Sequence, residues 1–294
     1  MSTEIPVGFS EQFSTAVELL LQQKVSKFRN AVRSNTYVGK SAQVVQQTGP
    51  VNLVDLNTRH GDTPIIDTPH DNRWCFPNAK GGAQLIDWVD DFQAIADFES
   101  SYVQNGASAA NRAIDDTIIN GFFSETTKTG EDHGTTTDWA TFVSVNAGHQ
   151  IAAGGVGLTI AKLRAAKKAL MAAEVDVDQE MLFVGLSSSA HDDLLGETQA
   201  TNLDYTDRPA LVDGRIKSFM GFNFIDSERL PLASAERRLP VWAQSGMAVG
   251  IWGDVKNSVS IRNDKNDAVQ IYTTVMVGAT RVEEKKIVEI LVTE

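Results

Sequence analysis

The sequence predicts an α+β fold, with helical and strand signals segregated along the chain rather than alternating as βαβ units. Three observations lead there. Helical periodicity covers residues 11–33 and 93–123. Strand-like sequence dominates the end, over Val241–Ile261 and Ala268–Val292. Between the two helical stretches, residues 41–90 are extended in character, broken by Gly49-Pro50, Gly61, Pro64, Pro69, Pro77 and Gly81-Gly82.

The elements follow in order. Phe13, Val17, Leu20, Leu21, Val25, Phe28 and Val32 recur at spacings of three and four, which predicts an amphipathic helix with Ser10 as N-cap. From Gln12 to Lys40 the only acid is Glu18, against Lys24, Lys27, Arg29, Arg33 and Lys40, so a basic arm stands on an acidic protein. The common reading of such a run is a solvated helix face; the sharper one is a face turned toward an anion. Val44, Val45, Val51, Leu53, Val54 and Leu56 mark strands of a long two-stranded excursion, which needs a partner surface for stability. Ile95, Phe98, Tyr102, Ala110, Ile114, Ile118 and Phe122 give the second helix one apolar face. Gly106 interrupts it at a cost of ~1 kcal/mol relative to Ala, unless the small residues at 106–110 admit a neighbouring element.

Ser124–Asp138 is a polar loop, and residues 141–152 fit a strand or a short helix equally well. Thr159 caps a helix over Ile160–Ala173, with Ile160, Leu163, Leu170 and Met171 expected inside and Lys162, Arg164, Lys167 and Lys168 outside. Met181–Leu186 reads as a buried strand, Ser187–Leu195 as a capped helix, and Ile216–Ser227 as a strand pair turning at Gly221.

Composition narrows the function. The chain has 294 residues, 42% hydrophobic and 22% charged, enough for a sizeable core and inconsistent with wholesale disorder. A net charge of −12 argues against a general nucleic-acid binder. The single cysteine, Cys75, excludes an intramolecular disulfide, and no apolar run approaches the ~18–20 residues that cross a membrane. The N-terminus lacks a secretory pattern, so a soluble protein of a reducing compartment is expected.

Enzyme signatures are weak throughout. The Gly154–Gly157 cluster has Ile160 where a dinucleotide fingerprint needs its third glycine. Ser187–Ser189 near His191 and Asp192 lacks a nucleophile elbow. Asp176, Asp178 and Glu180 alternate like calcium ligands, but Met181 and Ser187 occupy the positions of the required glycine and glutamate. The histidines at 60, 70, 133, 149 and 191 form no zinc pattern, with His60 and His70 read as surface or contact residues. Cys75, between Trp74 and Phe76, reads as a small hydrophobe. The acid pairs Asp90-Asp91 and Asp115-Asp116 read as helix-start charge or a solvated face. No catalytic residue, cofactor or metal site is assigned.

Four stretches, in this order, resemble the major capsid proteins of tailed double-stranded DNA bacteriophages, whose fold is shared with encapsulin shells. Leu158–Ala173, LTIAKLRAAKKALMAA, is similar to that family's threonine-capped, lysine/alanine-rich helix. MLFVGLSSSAHDDLL is similar to the strand and helix that follow it. In Val212–Leu230, the residues Gly214, Ile216, Gly221, Phe222, Ser227 and Leu230, with Pro231 after them, match a further run, and Val277–Ile290, VGATRVEEKKIVEI, resembles the closing strand. Asp115–Ile119 in the long helix suits the family too. The acidic Val175–Glu180 departs from the proline and arginine common there.

The resemblance implies an N-terminal arm (1–40), an extended loop (41–92), a peripheral domain with a spine helix (93–125), an axial domain (126–262) and a return to the peripheral domain (263–294). It implies a structural protein that assembles as hexamers and pentamers into an icosahedral shell around packaged double-stranded DNA. Scaffolding, portal and decoration proteins are further implied partners, with no membrane, and the location is the virion after assembly in the host cytoplasm. A large cleavable N-terminal scaffolding segment is expected to be absent. Expected inter-subunit contacts are Phe13, Val17, Arg29, Arg33, Val51, Leu53, Arg59, Arg73, Trp74 and Lys80, with Lys24, Lys27, Arg29 and Arg33 as an inward-facing basic arm. A crosslink from Lys80 to Asn263 or Asn266, known in some relatives, has no supporting motif here. The alternatives are an encapsulin-type compartment shell and, in another class, a soluble enzyme using Asp176 and Asp178 as a metal or acid/base site.

Overall fold

The computed structural model describes residues 20–55, 57, 59, 62–87, 98–124, 127–197, 211–212 and 215–294. The described residues fall into two units, a smaller one drawn from 20–25, 79–87, 98–112 and 255–275, and a larger one drawn from the described residues of 26–78, 113–254 and 276–294. The long helix Phe98–Phe123 and the strands Met247–Arg262 and Ala268–Arg281 are continuous through the division.

The larger unit is organised by a seven-stranded sheet. Its central strands, Leu182–Leu186, Glu236–Ala243 and Ile287–Thr293, are buried on both faces over most of their length, largely by apolar residues, as a doubly covered strand requires. Val241 stands opposite both Val184 and Val288, and all three are fully buried. Trp242 lies beside them, with its ring 4.7 Å from that of Phe122, 5.7 Å from Phe183 and 5.9 Å from Phe28. Its indole N–H donates to the Ala31 carbonyl at 2.9 Å, so a large apolar side chain is buried with its one polar atom satisfied.

Two caps predicted from sequence are formed. The Thr159 side chain accepts from the Lys162 N–H at the start of Ile160–Ala172, and the Ser187 hydroxyl accepts from the Ala190 N–H at the start of Ser188–Gly196. The undecided 141–152 stretch contains both options: Trp139–Val145 is a helix capped by Asp138, and Gln150–Ile151 is a short parallel strand on Ile287–Thr293.

Three readings change. The helix expected over 11–33 does not run through residues 20–33, where coil gives way to a short 3-10 turn and the strand Arg33–Thr36; residues 11–19 lie outside the described residues. The physical reason is Asp115. Its carboxylate accepts from the Ser26 hydroxyl (2.5 Å) and from the Lys27 and Phe28 N–H groups (3.0 and 3.2 Å), taking donors a helix would need. Asp115 is therefore fully buried, not on a solvated face, while Asp116 pairs with Arg229.

The second change concerns Ile160–Ala172, where Met171 is 57% exposed and Lys162 only 6%. The Lys162 ammonium donates to the carbonyls of Ala153, Val156, Gly157 and Leu291 at 2.8–3.0 Å, a set of acceptors invisible to helical periodicity. Burial moves its pKa down from the usual lysine value, against the pull of Asp193 and Glu236.

The third change is in the excursion. Ala42–Thr48 pairs with His70–Cys75 in antiparallel register, but the described residues of 49–69 contain no strand.

In the smaller unit, Gly106 sits where the Phe98–Phe123 helix meets Thr273. A Cβ at this glycine would lie 2.2 Å from the Thr273 hydroxyl oxygen and 3.3 Å from its Cβ. The close approach anticipated for the small residues of this helix is thus supplied by a β-branched side chain with little freedom to yield.

The two effects on Gly106→Ala oppose each other: helix propensity favours Ala by ~1 kcal/mol, and overpacking costs ~1–3 kcal/mol. The clash is expected to win, so Gly106→Ala should lower the thermal midpoint of the unassembled subunit. Adding Thr273→Ala should restore it above the value of either single variant; additive losses in the double variant would refute this packing account.

Candidate assembly surfaces

The extended segment between residues 42 and 75 is rooted by buried charge. Arg73 makes two parallel hydrogen bonds to Glu284, at 3.0 and 2.9 Å, with both side chains nearly excluded from solvent. Its Nε donates to Gln47 on the paired strand and a second guanidinium nitrogen reaches Thr137. Glu284 faces a second guanidinium, Arg281, whose Nε is 3.9 Å away. Arg281 is fully buried and donates to the carbonyls of Gly121, Phe122 and Ser124, the orphan acceptors at the end of the long helix, and to that of Thr137. Burial lowers its pKa to about 10, with Glu284 opposing the shift.

The strand then passes through a tight crossing. A Cβ at Gly278 would lie 2.2 Å from the Phe76 carbonyl oxygen and 2.8 Å from the Cys75 sulfur, so only glycine admits the contact. Cys75 is buried, as its apolar neighbours suggested, and burial raises its thiol pKa to about 11. Trp74 donates to the Gly130 carbonyl, and the edges of Trp74 and Phe76 meet the His133 ring at 5.3 and 5.6 Å.

Beyond this root the chemistry reverses. The ladder stops at Thr48 and His70, and a single hydrogen bond from the Gly49 N–H to the Pro69 carbonyl (2.7 Å) draws the ends together. Past it, Val51, Leu53, Val54, Ile65 and Ile66 reach solvent, with Leu53 93% and Ile65 92% exposed. These apolar side chains stand in water on a segment whose described residues form no strand or helix.

The residues singled out from sequence are not brought together into one patch. Phe13, Val17 and His60 lie outside the described residues. Val51, Leu53 and Arg59 are on the exposed segment. Arg73 belongs to the internal root, Trp74 is half-buried beside it, and Lys80 is half-buried on the strand Asn78–Ile86. In the basic run, Lys24 and Arg33 are exposed, but Lys27 donates to the Asp226 carbonyl at 2.6 Å and Arg29 holds Asp254 through two bonds of 3.0 and 2.8 Å. The acidic alternation does not converge: Asp176 caps its own turn, while Glu180 accepts from Ser245 and Lys286. Among the described residues no group of three metal-ligating side chains forms. Glu284, Arg281 and Asp115 escaped sequence reasoning because nothing in local spacing distinguishes a buried acid or arginine from a surface one.

A family model described as phage capsid protein matches residues 5–294. The chain belongs to the phage capsid protein family. Solved structures agree in fold. The Cyanophage Pam1 capsid subunit superposes with a TM-score of 0.75 at 14% identity, covering 99% of this chain and 98% of that one. The bacteriophage PhiM1 mature capsid subunit gives 0.72 at 12% identity, covering 97% and 92%. A Mycobacterium phage Che8 chain gives 0.68 at 16% identity, covering 98% of both. No curated protein matches the chain. The α+β capsid fold expected from the sequence resemblance is thereby established, and the encapsulin alternative is not favoured. As a capsid protein the chain is a structural component of the virion and assembles with copies of itself into a shell. No described helix is long and apolar enough to cross a membrane.

Three outcomes follow from the root of the extended segment. Glu284→Gln leaves two buried guanidinium groups facing a neutral amide, and should cost ~3–5 kcal/mol in denaturant unfolding. The Cys75 thiol should resist thiol reagents at pH 8 in the folded subunit and titrate fully after denaturation. Its folded pKa, about 11, lies above the ordinary 9.0, so the folded state holds this proton more tightly. Stability should therefore decline as pH rises from 9 toward 11, and Cys75→Ala should flatten that part of the pH–stability curve.

Proposed function

We propose that this capsid protein builds an icosahedral shell of hexamers and pentamers around double-stranded DNA, and that its extended segment 49–69 is the contact that closes one subunit onto the next. The carrying observation is a contrast: the strand pair from which the segment springs is fixed by the buried Arg73–Glu284 pair, while the segment itself presents Leu53 and Ile65 to water. Repeated side-by-side contacts that close into a cage need such a projecting surface.

The assignment of residues 1–40 as arm, 41–92 as loop, 93–125 and 263–294 as peripheral domain and 126–262 as axial domain belongs to the same proposal. So does assembly in the host cytoplasm with scaffolding, portal or decoration proteins. Lys24 and Arg33, exposed members of the basic run, are available to face packaged DNA without reading its sequence. The proposed role is non-enzymatic, as membership of the capsid family suggests.

The experiment is deletion of residues 50–68, joined across the Gly49–Pro69 hydrogen bond. The full chain should give closed particles, or rings of five and six, by size-exclusion chromatography and negative-stain microscopy. The deletion should give a soluble subunit with an unchanged circular dichroism spectrum that builds neither. Normal shells from the deletion would overturn the role assigned to this segment.

A further inference from the structure

The helix Ile160–Ala172 carries four basic residues and no acid in a protein of net charge −12. Lys162 is consumed internally by its four carbonyl acceptors. The other three, Arg164, Lys167 and Lys168, line an open groove of about 470 Å³ whose remaining walls are Met171, Ala172 and Met220.

Its lining combines the apolar Met171, Ala172 and Met220 with three cations. Met171 is more than half exposed, on the helix face that periodicity alone assigns to the core. Met220 occupies the first left-handed position of the 218–226 hairpin turn, with φ 54°, where asparagine or glycine is the unstrained choice. The Lys167 ammonium donates to the Met220 carbonyl at 3.0 Å and ties that turn to the helix. Two methionines presented side by side form an adaptable apolar surface of the kind that receives peptide segments. Duplex DNA, by contrast, takes its affinity from phosphate contacts and has no use for a thioether lining.

The sequence contains a segment with complementary chemistry. Residues 1–19 hold three glutamates, Glu4, Glu11 and Glu18, and neither lysine nor arginine. They also hold Ile5, Val7, Phe9, Phe13, Val17 and Leu19 as apolar anchors. The groove and the segment each occur once per chain, so a shell of identical subunits supplies one of each at every position. We propose that the groove formed by Arg164, Lys168, Met171 and Met220 receives residues 1–19 of a neighbouring subunit, anchors on the methionines and glutamates toward the cations. This rests on the self-assembly reading and specifies a second contact for it, separate from the 49–69 segment.

The test uses the full chain. p-Benzoylphenylalanine replaces Phe13, and the substituted chain is co-assembled with nitrogen-15-labelled unsubstituted chain. Irradiation followed by mass spectrometry should show cross-links from position 13 to Met171 or Met220, joining light to heavy chains. Arg164→Glu/Lys168→Glu in the labelled chain should cut their yield by at least about fivefold, as loss of charge pairs weakens a contact. The same sample is viewed by negative stain. Shells whose position-13 cross-links fall elsewhere, or only within one chain, overturn this inference and leave the assembly reading standing; failure to form shells counts against the assembly reading instead. Acetylation of Lys168 separates nucleic acid from peptide. Protection in DNA-free shells supports the peptide, and protection only in DNA-filled particles overturns it in favour of DNA.

Discussion

Glu284 is the point on which the larger unit turns. Two buried guanidinium groups converge on this carboxylate, Arg73 through two direct hydrogen bonds and Arg281 across 3.9 Å. Either cation alone in that environment would carry a desolvation cost of several kcal/mol. Each also has a second task. Arg281 satisfies the last carbonyls of the long helix, and Arg73 ties the strand His70–Cys75 to the strand Ala42–Thr48. Helix end, strand pair and the turn before the final strand are thereby fixed by one electrostatic arrangement. Coulomb attraction over such short distances falls steeply with displacement, so the arrangement selects one geometry where apolar packing alone would tolerate several.

A second polar centre acts on the closing strand. The Glu289 carboxylate, fully buried, accepts from the Trp139 indole and the Gln150 amide and pairs with Arg238. Arg238 in turn lies 4.2 Å above the Phe123 ring. The core around Trp242 is apolar and supplies most of the burial, but the buried charges specify how the surrounding elements attach to it. Among the described residues these buried charges have polar partners, although the Arg281 Nε makes no hydrogen bond and only approaches Glu284, in keeping with the high cost of an unpaired buried ion.

Much of this fold was legible in the sequence, for local reasons. Thr159 and Ser187 announced their helices because capping depends on a few adjacent residues. The apolar run 181–186 announced the buried strand Leu182–Leu186, although Met181 before it is 60% exposed, and Gly106 announced a close approach. What sequence reading missed was non-local. The stretch 20–33 has helical periodicity, yet Asp115, distant in the chain, takes its backbone donors. Lys162 occupies an outward helical position, yet carbonyls from a neighbouring loop and the final strand enclose it. Met171 shows the converse, an apolar residue exposed where periodicity buries it. Contact residues leave the weakest local signal in a sequence, since a surface that meets a partner and one that meets water share most of their composition.

The hydrogen bond between Gly49 and Pro69 has an evolutionary corollary. It closes the segment 50–68 at its base, so the subunit folds around a junction whose geometry is independent of what hangs from it. Loop-closure entropy grows only by about 0.6 kcal/mol for each doubling of length. Insertions, truncations and wholesale replacement in this stretch are therefore nearly neutral for the isolated fold. Under the contact proposed for this segment, their cost falls on the neighbour that receives them, and drift here is answered by matching drift on the facing subunit while the sheet beneath changes on its own schedule.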